Sequence, residues 1–144
     1  MLKQSLLMQT DYNGFSVLHI AAHEGRDETV RALLAAGGNE LALMQTTNGY
    51  TCLHMAAMGG HLQVVETLLA AAAYSLLMLP TYGGASCLYV AAQHGHSKVV
   101  RALLEAGGRD LLMMKTEGGY SCFHIAILNA HMQVNVPVKS IACR

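Results

Sequence analysis

The sequence repeats itself every 35 residues, and this period constrains the fold more than any other feature. Glycines recur at this interval at four places, which are Gly14, Gly49, Gly84 and Gly119. A chain with such a period folds as a stack of small similar units, because one unit cannot bury its apolar face alone. We therefore treat residues 1–144 as one domain, with repeats at about 11–45, 46–80 and 81–115, a partial repeat at 116–136 and an irregular tail at 137–144.

The first helix of each unit is predicted by a hydroxyl residue followed by apolar positions. A serine or threonine lies two residues after each of these glycines, as Ser16, Thr51, Ser86 and Ser121. Its side-chain oxygen can accept a hydrogen bond from the free amides at a helix start, and the apolar residues after it recur at helical spacing. The pattern predicts a helix, here called helix A, at about residues 17–24 of the first unit.

A second helix, called helix B, is predicted after a glycine that breaks the first one. In the first unit it covers about residues 28–36, where Val30, Leu33 and Leu34 form an apolar stripe. Asp27, and Ser97 in the third unit, can cap it. Glycine pairs in the left-handed conformation are predicted to end it, at Gly37-Gly38 and Gly107-Gly108. Stacked units would align the small Ala21, Ala56 and Ala91, and also Leu33, Leu68 and Leu103, in one continuous core.

Residues 49–69, which read GYTCLHMAAMGGHLQVVETLL, resemble the ankyrin repeat. The glycine, the Thr-x-Leu-His turn, the double alanine, the Gly-His pair and Val-Val-x-x-Leu-Leu occur in the order that this family shows. The similarity covers nearly the whole chain, as three complete units and a truncated fourth. It implies an all-α fold, an ankyrin-repeat solenoid of stacked helix-turn-helix units with projecting hairpin-like loops.

The sequence departs from the family pattern in three ways. Val17 and three cysteines replace the usual proline of the turn, and this keeps an apolar filler. The period of 35 residues exceeds the usual value of about 33. We expect the additional residues to give longer, more apolar loops between helix B and the next glycine, as at 39–44. Pro137 stands where helix B of the first unit carries Ala32, so the fourth unit is expected to end as an improvised cap.

Composition excludes several classes of function. The chain carries 9 basic and 9 acidic residues, so it offers no charged footprint for nucleic acid or anionic lipid. The longest apolar stretch, residues 68–79, is too short for a bilayer, which needs about 20 residues. The N-terminus has no secretory signal pattern. We expect an intracellular, cytoplasmic protein with no nucleic-acid or membrane partner.

The 8 histidines and 4 cysteines suggest a metal or catalytic site, but their positions in the repeat favour structural roles. The resemblance implies that His19, His54 and His124 are buried rings bonded to the backbone and hydroxyl of the turn. It assigns structural positions also to His61, His96 and His131, which leaves His23 and His94 exposed. Cys52, Cys87 and Cys122 recur once per unit, at a helix spacing of about 8–10 Å that is too wide for disulfides. We expect buried free thiols there and a reactive Cys143 in the tail.

No spacing typical of zinc ligands or of phosphate-binding glycine loops is present, so we expect no metal, no cofactor and no catalysis. A catalytic hypothesis would rest on the cysteines and histidines alone. The favoured hypothesis is a scaffold for protein–protein interaction. The alternative is a fragment or targeting arm of a larger ankyrin-containing protein, including an enzyme, or a designed or duplicated scaffold. Terminal repeats without a polar cap would also favour self-association.

The partner surface is predicted from the resemblance, which implies contacts through the hairpin tips and the exposed, concave face of helix A. The framework hardly changes between units, whereas these positions vary. The predicted set is Tyr12, Asn13, Phe15, His23, Glu24, Thr47, Asn48, Tyr50, Met58, Tyr82, Ala85, Gln93, His94, Glu117, Tyr120, Leu128 and Asn129. Aromatic residues are frequent binding anchors, although these rings could instead cover the loop stems. A second candidate surface is the apolar ladder formed by Leu41 and Leu43, Leu76 and Met78, and Leu111 and Met113, for which packing against the next unit is the alternative.

Overall fold

A computed structural model describes residues 2–128 of the protein, and the described part is helical with no strand. Eight helices follow one another as α1 (Leu2–Leu7), α2 (Val17–Glu24), α3 (Asp27–Ala42), α4 (Cys52–Gly59), α5 (Leu62–Leu77), α6 (Cys87–Gln93), α7 (Ser97–Leu112) and α8 (Cys122–Leu128). The helices α2, α4, α6 and α8 are the predicted helices A, and α3, α5 and α7 are the helices B. The predictions for Asn129, His131, Pro137 and Cys143 concern residues outside the described part.

The helices pack as two parallel layers. In one layer α2, α4, α6 and α8 lie side by side in order, and in the other α3 packs on α5 and α5 on α7. The helices α2, α4 and α6 also pack on the helix B of their own unit, which are α3, α5 and α7. The predicted all-α solenoid of stacked helix-turn-helix units is therefore confirmed.

The starts of α2, α4 and α6 follow the predicted capping chemistry. The side-chain oxygens of Ser16, Thr51 and Ser86 accept hydrogen bonds from the amides three residues later. In α2 and α4 the residue at that third position is a histidine, and its ring bonds back to the amide of the cap residue. These reciprocal bonds satisfy amides that a helix start otherwise leaves without a partner.

The predicted caps of helix B are wrong. The capping positions are held by Arg26 and His96, which make no side-chain cap bond, and Asp27 and Ser97 are the first helical residues. The carboxylate of Asp27 instead bonds to the next unit, where one of its oxygens accepts a hydrogen bond from the hydroxyl of Thr67 on α5 at 2.6 Å. Helix B is therefore positioned by contacts with neighbouring elements rather than by a local cap.

The predicted end of helix B also needs correction. Gly38 and Gly108 do leave the helical conformation, with φ values of 62° and 57°, but the chain then resumes a helical path to Ala42 and Leu112. The stretch predicted as a long apolar loop is thus largely helical. Its physical cause is the burial of Leu41 and its counterpart Leu111, which the second helical segment turns into the core.

The core runs through all units. The aligned alanines Ala21, Ala56 and Ala91 are buried, as are Leu68 and Leu103, while the corresponding Leu33 is half-buried. The short helix α1 was not predicted, and it packs on α3. Its residues Leu6 and Leu7 lie 35 positions before Leu41 and Ala42, so α1 corresponds to the end of a helix B.

Candidate partner-binding surface

The loop before each helix A is closed by a hydrogen-bonded turn of constant geometry. In the second unit the amide of Thr46 donates to the carbonyl oxygen of Tyr50 at 2.9 Å, and the amide of Tyr50 donates to the Thr46 hydroxyl oxygen at 3.1 Å. The same two bonds join Thr81 to Ala85 and Thr116 to Tyr120. The threonine side chain therefore organises the loop in the same way in each of these units.

Main-chain hydrogen bonds join the tips of successive loops. The amide of Thr47 donates to the carbonyl of Asn13, that of Tyr82 to Asn48, and that of Glu117 to Gly83, over 2.9 Å to 3.1 Å. This close approach requires glycine at Gly49, where φ is 87° and a Cβ atom would lie 2.5 Å from the Tyr82 amide nitrogen. The tips therefore form one continuous edge beside the helix A layer.

Buried histidines hold each helix A against the next loop. Nδ1 of His54 accepts from the Thr51 amide at 3.1 Å, so the ring proton is on Nε2, which donates to the carbonyl of Ala85 at 3.1 Å. His19 makes the same bonds to Ser16 and Tyr50. Burial lowers the pKa of both rings, to about 4 for His54. The predicted structural role of these two histidines is confirmed.

The histidines at this register position, here called the histidine ladder, are interrupted in the third unit, where Tyr89 occupies the position. The Tyr89 amide still donates to the Ser86 hydroxyl oxygen. His124 continues the pattern with a 2.8 Å contact between its Nδ1 and the hydroxyl of Ser121. The prediction that His124 is buried is wrong, because no later unit within the described residues covers its ring.

The aromatic residues of the loops fall into two groups. The rings of Phe15, Tyr50 and Tyr120 lie edge-on against the histidine of their own unit, with ring centroids 5.7–5.9 Å apart. The alternative reading, in which rings cover the loop stems, therefore describes this group. Tyr12 and Tyr82 project into solvent. The rings of these two tip residues are therefore accessible to a partner.

A groove of about 380 Å³ lies between the tips and helix A of the second and third units. Three tyrosines of different origin line it, which are Tyr50 from a loop stem, Tyr82 from a tip and Tyr89 from α6. Hydrogen-bonding groups of Asn48 and Gln93 lie in the same lining. The groove, here called the tyrosine groove, contains no formally charged lining residue and is open to solvent.

A second groove of about 320 Å³ lies in the first unit against the second. Its lining includes three residues of the predicted surface, which are Phe15, His23 and Glu24. The other lining residues are His19, Ile20 and Met55. The groove is mainly apolar, and Glu24 is its one formally charged lining residue. The two grooves follow the same face of the stack.

The predicted surface residues separate accordingly. The structure brings Asn48, Tyr50, Tyr82, Ala85 and Gln93 together in the tyrosine groove, and Phe15, His23 and Glu24 in the second groove. The remaining predicted positions line neither groove, and these are Tyr12, Asn13, Thr47, Met58, His94, Glu117 and Tyr120. Met58 is half-buried, and its carbonyl accepts from His96 at 2.8 Å. Nothing is described of the Leu128 side chain, and Asn129 lies outside the described residues.

Sequence reasoning missed Tyr89, Thr81 and Ile20 as groove residues. Tyr89 carries a usable signal in the sequence, since it is the one member of its register that is not a histidine. Ile20 carried no such signal, because its side chain differs from Met55 and Val90 in exposure rather than in chemistry. The apolar ladder divides too: Leu41, Leu76 and Leu111 are buried, whereas Leu43 and Met113 are exposed.

Two further histidines and three cysteines of the described part take the structural roles expected of them. Nε2 of His61 donates to the carbonyl of His23 in the preceding unit at 2.8 Å, as His96 does to Met58. Cys52, Cys87 and Cys122 are free and buried, and burial raises the thiol pKa to about 12, 12 and 11. Within residues 2–128 no cluster of three metal-ligating side chains is present.

Comparison with known proteins agrees with the repeat architecture. A family model described as ankyrin repeats in three copies matches residues 2–77, and a model of the single ankyrin repeat matches residues 83–115. No curated protein matches the chain. None of the helices in the described part combines the length and hydropathy that crossing a bilayer requires.

Proposed function

The chain belongs to the ankyrin-repeat family, and on that premise we propose that it is a protein-interaction scaffold without a catalytic step. The observation that carries the proposal is the tyrosine groove, where one ring comes from a loop stem, one from a tip and one from helix A. Such a site uses three elements of the repeat at once. Tyrosines are effective anchors because they offer large contact area at low entropic cost.

The extended shape of the surface supports a protein partner. The hydrogen-bonded edge of tips continues past both grooves, so a partner can contact several units at once. Tyr12, Asn13, Thr47, Glu117 and Tyr120 belong to this longer surface as peripheral contacts.

The charge of the surface indicates the chemistry of the partner. The lining of the tyrosine groove is uncharged, and the whole chain has no net formal charge. Recognition of a polyanion would require basic residues in or beside the site. We therefore propose an uncharged protein segment as the bound element, and no nucleic acid.

The state of the cysteines supports both the absence of catalysis and an intracellular location. A thiol with a pKa of about 12 is protonated at neutral pH and is a poor nucleophile, which applies to Cys52 and Cys87. Buried thiols that remain free are typical of a reducing compartment. On these grounds we propose a cytoplasmic location.

The test compares two exposed tyrosines. Tyr82, in the tyrosine groove, is 63% exposed, and Tyr74, on α5 outside the groove and the tips, is 54% exposed. Wild-type protein and the variants Tyr82→Ser and Tyr74→Ser are coupled to resin, and the proteins captured from lysate are quantified by mass spectrometry. Thermal unfolding followed by circular dichroism verifies that each variant is folded.

We expect Tyr82→Ser to reduce the captured partner at least about tenfold, which corresponds to roughly 1.4 kcal/mol of binding free energy. Tyr74→Ser should capture the same amount as wild type. Equal capture by all three proteins would refute the assignment of the groove, and loss with Tyr74→Ser alone would move the binding surface to the helix B layer.

A further inference from the structure

The first helix A exposes an apolar face, whereas the second, third and fourth units bury the same positions. Val17 and Ile20 of α2 are 45% and 52% exposed. Their counterparts one unit later, Cys52 and Met55, are buried, and so are those of the third and fourth units. These positions face the preceding unit, because the Cys52 thiol donates to the carbonyl of Ala42 on α3. We call Val17 and Ile20 the leading face.

The last described helix carries the complementary face. Phe123 is half-buried, His124 is exposed, and Ile127 is 73% exposed. In the first unit the same register positions hold Leu18, His19 and Ala22, which are fully buried. They face the following unit, as the bond from His19 to the Tyr50 carbonyl shows. We call Phe123, His124 and Ile127 the trailing face.

The two faces are the two halves of the junction that joins neighbouring units inside the stack. At each internal junction, positions of the trailing type pack on positions of the leading type one unit later, as α2 does on α4. The leading face and the trailing face of the described part are therefore complementary to each other, and neither is complementary to itself. Both are apolar, so their exposure to water is unfavourable.

We propose that these faces bind each other between two copies of the chain, which stack head to tail with the trailing face of one copy on the leading face of the next. The contact continues the internal interface of the repeat. It would bury Ile20 and Ile127 and allow Nε2 of His124 to donate to the carbonyl of Phe15 in the second copy. His19 and His54 make the corresponding bond inside the chain.

At two positions, the residues of the proposed contact differ from their counterparts at the internal junctions. Ile127 is larger than the alanines at Ala22, Ala57 and Ala92, which increases the apolar area presented to the next copy. Arg26 replaces the histidine that His61 and His96 supply, and a guanidinium can also donate to a main-chain carbonyl. Because the contact joins two different faces, each dimer keeps one leading and one trailing face free, and the assembly grows as an open chain.

The experiment uses sedimentation velocity over a range of concentrations, with one charge placed on each face. Ile20→Lys changes the leading face and Ile127→Lys the trailing face, both at positions already half-exposed or more. Met113→Lys is the matched control, since Met113 is 56% exposed and belongs to neither face. Circular dichroism verifies that all variants keep the helical content of the wild type.

We expect the average mass of wild type and Met113→Lys to rise with concentration to at least double the chain mass of 15.4 kDa. Each face variant alone should remain a monomer. A mixture of Ile20→Lys and Ile127→Lys should form a dimer of one copy of each and nothing larger, because one intact face of each kind remains. This readout does not depend on any partner, so it is separate from the test of the tyrosine groove.

Three results would overturn the proposal. The first is a wild type that is monomeric at every concentration. The second is self-association that either face variant retains by itself, which would indicate a symmetric contact of one face with itself. The third is a mixture of the two face variants that stays monomeric.

Discussion

Nε2 of His54 lies 3.1 Å from the carbonyl oxygen of Ala85, and this bond ties helix A of the second unit to the loop of the third. The other ring nitrogen accepts from the Thr51 amide, so the ring fits its site only in the neutral form. Burial is the main cause that lowers the pKa of His54 from 6.5 to about 4. The stability of the stack is thereby linked to pH.

Acid should destabilise the protein in the range between these two values. The unfolded chain protonates this histidine near pH 6.5, whereas the folded chain resists protonation until about pH 4. The stabilisation is therefore complete above pH 6.5 and is lost as the pH falls towards 4, by roughly 3 kcal/mol for His54. His19, whose pKa is also lowered by burial, adds in the same direction. Urea unfolding at pH 7.5, about one unit above the unfolded-state pKa, and at pH 4, the folded-state pKa, measures the loss.

The controls for this acid effect are two histidine substitutions. His54→Gln removes the buried titrating ring, so its free energy of unfolding should depend less on pH than that of wild type. His23→Gln changes an exposed ring and should keep the wild-type dependence. A wild type whose stability is the same at pH 7 and pH 4.5, or a His54→Gln variant with the full dependence, would contradict the prediction.

Tyr89 interrupts the histidine ladder, and restoring the histidine should strengthen the junction between the third and fourth units. The carbonyl of Tyr120, the counterpart of the Tyr50 and Ala85 carbonyls, accepts from the Thr116 amide and has a second lone pair for a ring donor. We expect Tyr89→His to be more stable than Tyr89→Gln by about 1 kcal/mol, the net contribution of one such bond. Chemical denaturation of both variants at neutral pH measures the difference. Equal stability would show that the ladder cannot be extended at this junction.

The local order of residues predicts helix A well. The signals for this helix are a glycine, a hydroxyl residue and an apolar stripe that lie close together in the sequence. As they predict, α2 and α4 begin at the residue after Ser16 and Thr51. Helix B was predicted in place but with wrong limits. The pair Gly37-Gly38 is a local stop signal, and the burial of Leu41, which depends on neighbouring units, extends the helix beyond it.

The features that sequence reasoning missed depend on packing between units. The helix α1 has 6 residues, which is too short for a stable isolated helix, so its formation relies on contact with α3 rather than on local preference. The loop aromatics look alike in sequence, but Tyr50 packs against a histidine ring while Tyr82 does not. Likewise Ile20 and Met55 are similar apolar residues whose exposure is set by the unit in front of them. Repetition predicts the unit, whereas the surface depends on where each unit lies in the stack.

Gly60 should tolerate alanine less well than Gly119, although both have positive φ, at 73° and 80°. A Cβ atom on Gly60 would lie 2.5 Å from Nδ1 of His96, whereas nothing lies within 4 Å of one on Gly119. Gly119→Ala carries only the left-handed backbone cost of roughly 1 kcal/mol. Gly60→Ala must also displace the His96 ring from the Met58 carbonyl, so it should lose about 3 kcal/mol. Thermal and urea unfolding compare the two variants, and equal losses would show that the imidazole yields without cost.

Cys52, Cys87 and Cys122 should react with a thiol reagent only when the stack opens. Each is buried, and burial raises the pKa of Cys87 to about 12, so both access and the thiolate fraction are low in the folded state. With a disulfide reagent at pH 8, we expect labelling of these three to be at least about 100-fold slower than in denaturant, and to accelerate with urea in parallel with unfolding. Mass spectrometry of proteolytic peptides identifies which thiol has reacted, and the predicted reactive Cys143 provides the fast internal reference. Rapid labelling of Cys52 in the native state would show that its site is open and would restore the case for a nucleophilic role.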